Sequence, residues 1–286
     1  MAAEPSALTS WTFDPIRLAG LALITFLYYR RVQTLAARGI EVERWRRWCF
    51  GAGVFSLFFV LVSPVDAFGE RQFLFVHMLQ HIVIGDLAPL LIVAGLTGPI
   101  LRPLLAIGWI EKLRVLGHPL VAFPLWAINL YIWHLPVLYE GALHHDVVHA
   151  LQHICFFTFG VFFWAAVLEP LPGPAWFGTG AKLMYIVAAR VVGMVLANVL
   201  LWSSSVFYST YDHAARWGIS PSSDQGVAGS LMMIVDSVVT IAAIAWLFLR
   251  LANESELRQR LIEAGHDPST AARAVRYGRG KELASR

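Results

Sequence analysis

The chain has 286 residues, of which 57% are hydrophobic and only 14% are charged, and its mean hydropathy is +0.61. Soluble domains carry about one quarter charged residues, so this composition excludes an ordinary soluble domain and predicts an integral membrane protein. The net charge of +3 and the pI near 9.0 do not indicate nucleic-acid binding, because the basic residues fall in loops and in a C-terminal tail.

Seven apolar stretches are predicted to cross the membrane, because each approaches the roughly 20 residues that a helical span needs. In chain order they cover residues 15–31, 48–65, 73–96, 119–139, 147–168, 181–202 and 227–251. The N-terminal segment 1–10 has no basic region and no small-residue cleavage site, which predicts an uncleaved terminus. The polar segment 253–286 is predicted to be a tail with helices over 256–264 and 270–275, the second of them capped by Ser269.

Basic residues orient the predicted spans. By the positive-inside rule, loops rich in Lys and Arg are cytoplasmic, so the N-terminus is predicted to lie outside and the tail inside. The predicted fold is thus an all-α integral membrane protein, a seven-span transmembrane helical bundle over residues 1–252 with a cytoplasmic tail over 253–286. The tail is predicted to contact anionic lipid, with docking of a partner as the alternative. Eighteen of the 22 basic residues support this orientation: Arg30, Arg31, Arg38, Arg44, Arg46, Arg47, Arg102, Lys112, Arg114, Lys182, Arg250, Arg258, Arg260, Arg273, Arg276, Arg279, Lys281 and Arg286.

Histidines recur at helical spacing in two of these spans. The third span contains His77-Met-Leu-Gln-His81, and the fifth is preceded and opened by His145, His149 and His153. Residues four apart on a helix share a face and lie about 6 Å apart along its axis, which allows two imidazoles to bind one metal. In the predicted orientation, seven of the ten histidines lie in the outer half of the membrane or at its outer surface: His77, His81, His134, His144, His145, His149 and His153.

These outer-half histidines predict a metal centre, and copper is the hypothesis for its metal. Imidazole and thioether ligands suit copper, whereas magnesium and calcium prefer sites rich in carboxylate oxygen. The exposed pair His144 and His145 is predicted to be the entry or hand-off point, and Asp66 is predicted to orient a histidine. The predicted ligands are His77, His81, His149 and His153, with His134 and Met232 as further ligands.

Three charged residues lie deeper, near the middle of the third, sixth and seventh spans: Asp86, Arg190 and Asp236. Charges at this depth usually pair with one another or face a wet cavity. The sequence predicts a structural ion pair of Arg190 with Asp236 or Asp86, with a proton path as the alternative. Gly85 and Pro89 flank Asp86 and predict a local kink there.

Four separated segments resemble the CtaG-type cytochrome c oxidase assembly factors, multi-span membrane proteins associated with caa-type haem-copper oxidases. They are His77-Met-Leu-Gln-His81 with Pro89 downstream, Trp133-His134-Leu135-Pro136, His149-Ala-Leu-Gln-His153, and the segment from Asp224-Gln225 to Met232. The resemblance implies a non-enzymatic assembly factor of the bacterial cytoplasmic membrane, with oxidase subunits and membrane lipids as partners and no nucleic acid. It also implies that copper is handled at the outer face.

Two other functions stay open at this point. Histidines on facing spans also suit a haem b-binding redox protein, although one histidine per side would suffice for haem. A metal-free scaffold for oxidase subunits would use the histidines only as hydrogen-bonding groups. A zinc hydrolase is disfavoured, because neither pair has the glutamate of the His-Glu-x-x-His motif.

Overall fold

The structure is a computed structural model that describes residues 10–211 and 217–284. Apart from Ser10, the predicted uncleaved terminus lies outside the described residues. All regular secondary structure in the described part is helical, which confirms the predicted all-α class. The α-helices are α1 (Pro15–Ala36), α2 (Arg44–Val62), α3 (Pro64–Arg71), α4 (Leu74–Ile82), α5 (Ala88–Gly95), α6 (Gly98–Leu105), α7 (Gly108–Leu113), α8 (Pro119–Trp133), α9 (Pro136–His144), α10 (Asp146–Leu168), α11 (Thr179–Trp202), α12 (Pro221–Glu263), α13 (Pro268–Arg276) and α14 (Gly280–Ala284).

Two irregular turns join helices without a loop. A π-helical turn over Val83–Leu87 connects α4 to α5, so that Leu74–Gly95 is one continuous helical segment. A 3₁₀ turn over Arg114–Gly117 connects α7 to α8. The π-helical turn surrounds Asp86, where the sequence predicts a local irregularity.

Five helical segments of the described chain are long and apolar enough to cross a membrane: α2, Leu74–Gly95, α10, α11 and α12. A sixth crossing results if Gly108–Gly117 and α8, which are bent by 77° relative to each other, form one span. The protein is therefore a multi-pass helical membrane protein with five to six candidate spans. The predicted first span, α1, falls outside this set because Arg30 and Arg31 shorten its apolar stretch.

The fourth predicted span is shorter than expected. The sequence predicts it over 119–139, but α8 ends at Trp133 and the chain turns before α9 begins at Pro136. A residue that precedes proline is disfavoured in the α-helical conformation, and Leu135 accordingly adopts an extended one. His134 lies at the C-terminal end of α8, at the turn.

The described residues form two compact units, one of residues up to Leu171 together with Val192–Asp236, and one of Pro172–Val191 together with the residues from Ser237 onward. In the first unit, α1, α2, α5, α8 and α10 pack around one hydrophobic cluster. Helices α2 and α5 approach each other closely at Gly53, where an added Cβ would lie 2.7 Å from Cγ1 of Ile92. Small residues permit this kind of approach between membrane helices.

The second unit contains the helices of the predicted tail. The cap of α13 is Asp267, whose carboxylate accepts hydrogen bonds from the backbone N–H groups of Ser269 and Thr270, at 3.0 Å each. The prediction of Ser269 as the cap is wrong by two residues, because an aspartate carboxylate also satisfies the free N–H groups of a first helical turn. Helix α12 passes position 252 without a break, and the predicted domain boundary there stays a prediction.

Candidate metal centre

Two helices of the first unit present four histidines to one another. His77 and His81 project from α4, and His149 and His153 project from α10. All four are buried, and one ligand nitrogen from each lies within 4.8 Å of those of the others. The i,i+4 spacing in each helix therefore brings both pairs together, as the sequence predicts.

The start of α4 is held by a residue that is distant in the chain. Phe73, at the N-cap, provides no side-chain cap, and the fully buried Asp224 of α12 supplies one instead. Its carboxylate accepts hydrogen bonds from the backbone N–H groups of Leu74, at 2.8 Å, and of Phe75, at 3.1 Å. This cap fixes the first turn of the helix that carries His77 and His81.

The neighbouring Gln225 fixes the chain that follows α11. Its side-chain oxygen accepts from the N–H of Phe207 at 2.8 Å, and its amide nitrogen donates to the carbonyl of Ser205 at 3.1 Å. This chain leads to Tyr211, which contacts His77. The Asp224-Gln225 segment thus positions groups around the histidines without contacting them.

Three histidines near the site have a hydrogen-bond partner at Nδ1. Nδ1 of His149 lies 3.0 Å from Oε1 of Glu70, and Nδ1 of His134 lies 2.7 Å from the carbonyl oxygen of Leu130. Carboxylate and carbonyl oxygens only accept, so both imidazoles carry their proton on Nδ1.

The hydroxyl of Tyr211 gives His77 the same arrangement. It donates to the carbonyl of Gly69 at 2.9 Å, and its oxygen lies 2.6 Å from Nδ1 of His77. Because the tyrosine proton is already used, the oxygen accepts from Nδ1–H of His77. In His77, His134 and His149, Nε2 therefore keeps its lone pair.

The Nε2 atoms of all four clustered histidines are buried and have no hydrogen-bond partner. The same is true of Nδ1 of His81. An unsatisfied buried polar group costs about 1–3 kcal/mol, and such groups are normally paired. Several converging imidazole nitrogens would be satisfied together by one metal ion, since a neutral imidazole is a good ligand for copper and zinc. The residues present therefore fit a nitrogen-ligated metal.

The remaining predicted ligands are His134 and Met232. His134 is buried with an unpartnered Nε2, but it is not a member of the group of four, and its ring centre lies 6.4 Å from that of His81. Met232 is buried in an apolar cluster that also contains Leu74 and Met78. Their roles as ligands stay predictions.

The predicted entry pair is exposed. His144 ends α9 and His145 is the N-cap of α10, one turn before His149. The entry role of this pair stays a prediction.

The predicted orienting residue, Asp66, is buried but bonds to groups other than histidine. Its carboxylate accepts from Nε2 of Gln80 at 2.6 Å and from Arg17 at 2.9 Å. The carboxylate that contacts a histidine is Glu70, one turn further along α3. The sequence does not identify Glu70 as the residue that orients a histidine, although its i,i+4 relation to Asp66 places both on one helix face.

Two of the three deeper charged residues form a hydrogen bond to a neutral side chain. The indole N–H of Trp164 donates to Oδ1 of Asp86 at 2.6 Å, and Arg190 donates to the hydroxyl of Ser237 at 2.7 Å. The ion pair predicted among Asp86, Arg190 and Asp236 stays a prediction.

Comparison with known proteins gives one result. The profile of the cytochrome c oxidase caa3 assembly factors matches residues 26–254, which is most of the chain. No significant match to a curated protein or to a solved structure was found.

Proposed function

The chain belongs to the cytochrome c oxidase caa3 assembly factor family, and we propose that it binds copper at the four-histidine cluster and passes it to the oxidase. The observation that carries this proposal is the convergence of four buried imidazoles whose Nε2 atoms have no partner. An assembly factor for a haem-copper oxidase has a use for such a site, because the oxidase must acquire copper. The role is non-catalytic, and the partners are oxidase subunits and membrane lipids.

The donor set favours copper over hard cations. The group of four contains imidazoles and no carboxylate, while magnesium and calcium prefer oxygen ligands. Neutral imidazole is a ligand that suits copper. His134 and Met232 are further ligands in this proposal, and the exposed His144 and His145 receive or release the ion.

The proposed topology has seven spans, with the N-terminus outside and the tail in the cytoplasm of a bacterial cell. In this arrangement α1 is the first span, and the bent segment Gly108–Gly117 with α8 supplies the fourth. The histidine cluster then lies in the outer half of the membrane. The transmembrane domain covers residues 1–252, and the tail over 253–286 lies against anionic lipid head groups.

Removing one histidine pair tests the proposal. We expect the wild-type protein to bind about one copper ion per chain. The double variant His77→Ala/His81→Ala should bind none, because it removes both ligands that α4 supplies. Copper is measured by elemental analysis of detergent-purified protein after loading with cuprous ion. The matched control is His266→Ala, which removes a histidine from the chain between α12 and α13 and should leave the copper content unchanged.

Other results would contradict the proposal in identifiable ways. Unchanged copper in the double variant would exclude the cluster as the site. A Soret band in the wild-type protein would instead indicate a haem carrier. Neither copper nor haem after loading would leave a metal-free scaffold as the function.

A further inference from the structure

One carboxylate contacts the histidine cluster. Oε1 of Glu70 lies 3.0 Å from Nδ1 of His149, whose side chain is 6% exposed, while the glutamate side chain is 28% exposed. Among the described residues, no other carboxylate has a hydrogen bond or an ion pair to a clustered histidine. The negative charge of Glu70 is thus one imidazole ring away from the ligand nitrogen of His149.

The other nearby carboxylates have their own partners. Asp66 forms an ion pair with Arg17 at 2.9 Å and also accepts from Gln80. Asp224 uses both oxygens to cap α4. The charge of Asp66 is thus paired with Arg17, and the carboxylate of Asp224 is held by backbone N–H groups at the start of α4. The four ligands themselves are neutral when they bind a metal. Glu70 therefore supplies a negative charge that is separated from the bound ion only by the imidazole ring of His149.

We infer that Glu70 is the counter-charge in contact with the cluster, and that the site is matched to a monovalent ion, Cu(I). This inference rests on the proposed function. Transfer of an ion into a low-dielectric site is opposed by a desolvation energy that rises with the square of its charge. One carboxylate balances a single positive charge, whereas a divalent ion in the same four-imidazole site would leave one charge uncompensated.

Glu70 also positions His149. A carboxylate that accepts Nδ1–H fixes the ring orientation and makes Nε2 a stronger ligand, as in carboxylate–histidine–metal arrangements. A residue that only positions a ligand should affect Cu(I) and Zn(II) to a similar extent. A counter-charge should affect the divalent ion more, because the Coulomb energy is proportional to the charge of the ion.

The variant Glu70→Gln separates these two roles, because it keeps the size of the side chain and removes the charge. We expect roughly tenfold weaker binding of Cu(I) and roughly a hundredfold weaker binding of Zn(II), since the loss of free energy doubles with the charge. Both affinities are measured on detergent-purified protein by competition with chromogenic chelators. The matched control is Glu41→Gln, which removes an exposed charge between α1 and α2 and should change neither affinity.

Several outcomes would overturn the inference. If Glu70→Gln weakens Cu(I) and Zn(II) binding by the same factor, Glu70 only positions His149. If Glu70→Gln has the same affinities as Glu41→Gln, Glu70 plays no part in the site. The wild-type protein provides a test that needs no variant, because Zn(II) binding as tight as Cu(I) binding would contradict the match to a monovalent ion.

Failure of this inference differs from failure of the proposed function. If wild-type protein loads copper and His77→Ala/His81→Ala does not, the function stands whatever Glu70→Gln shows. If the wild-type protein binds neither ion, both proposals fail.

Discussion

Hydrogen bonds made by single residues determine which nitrogen of His77 and of His149 faces the cluster. Glu70 and Tyr211 each engage an Nδ1 atom, and both lie on segments other than the helices that carry the histidines. The result is that Nε2 of His77 and His149 is free and directed away from its partner. A metal site needs this fixed tautomer, since only the unprotonated nitrogen binds.

Tyr211 provides a prediction at this scale. Tyr211→Phe removes the acceptor of Nδ1–H in His77 and leaves the aromatic ring in place, so metal affinity should fall about 10- to 100-fold. Loss of a buried hydrogen-bonding partner should also lower the free energy of unfolding by about 1–3 kcal/mol. Copper affinity and thermal unfolding of the purified variant measure the two effects.

Tyr28→Phe is the matched control, because that hydroxyl is also buried and donates at 3.1 Å to the backbone carbonyl of Gly95. It should lower stability to a similar degree and leave copper affinity within a few-fold of the wild type. Equal copper affinity in the two variants would show that Tyr211 does not orient His77.

The sequence predicts the four clustered histidines well and their partners poorly. Spacing along one helix identifies His77 with His81 and His149 with His153, because the helical repeat is local. Tyr211 is 134 positions from His77, and no local pattern connects them. Asp66 is predicted in place of Glu70 for the same reason, since only tertiary packing decides which of two carboxylates on one face reaches the histidine.

Among the helices, the contact between α10 and the segment Leu74–Gly95 sets the alignment of the two histidine pairs. An added Cβ at Gly160 would lie 2.1 Å from the carbonyl oxygen of Gly85 and 2.9 Å from Cγ of Pro89. Pro89 has no N–H to bond the carbonyl of Gly85, and the π-helical turn begins in this region with a bond from Ala88 N–H to the carbonyl of Val83. The helices therefore touch through backbone at this point.

Gly160→Ala should separate these helices. The methyl group meets a backbone carbonyl that cannot rotate away, so we expect a loss of about 1–3 kcal/mol in the free energy of unfolding. Because the histidine pairs lie on the same two helical segments, copper binding should weaken as well. Thermal unfolding in detergent and copper stoichiometry measure the two effects.

Gly20→Ala is the control for this change, since an added Cβ in α1 would have no neighbour within 4 Å. It should keep or slightly raise stability, because alanine favours helix over glycine by roughly 1 kcal/mol. Wild-type stability in Gly160→Ala would show that the contact is not tight.

For the whole molecule, hydropathy predicts an all-helical membrane protein but leaves the number of crossings open between five and seven. The uncertain helix is α1, whose contacts follow α2 along its length. Near one end, the hydroxyl of Tyr29 lies 3.4 Å from the carbonyl of Arg47, and near the other, Arg17 donates to the carbonyl of Leu61 at 3.1 Å. The 19 residues of α2 extend about 28 Å, close to the thickness of the hydrocarbon core. We therefore expect an antiparallel partner of that length to cross as well, which hydropathy alone does not reveal.

With α1 as a span, we expect Ser10 and Gln259 to lie on opposite sides of the membrane. In a background in which Cys49 and Cys155 are replaced by serine, Ser10→Cys should react with a membrane-impermeant maleimide added to intact spheroplasts, and Gln259→Cys should react only after permeabilisation. The reason is that seven crossings place α1 across the bilayer, with Arg30, Arg31 and the start of α2 in the cytoplasm. If both cysteines react only after permeabilisation, the number of crossings is even and α1 does not span. If Gln259→Cys reacts in intact spheroplasts, the orientation is reversed and the histidine cluster faces the cytoplasmic half, where it could not deliver copper to the outer side.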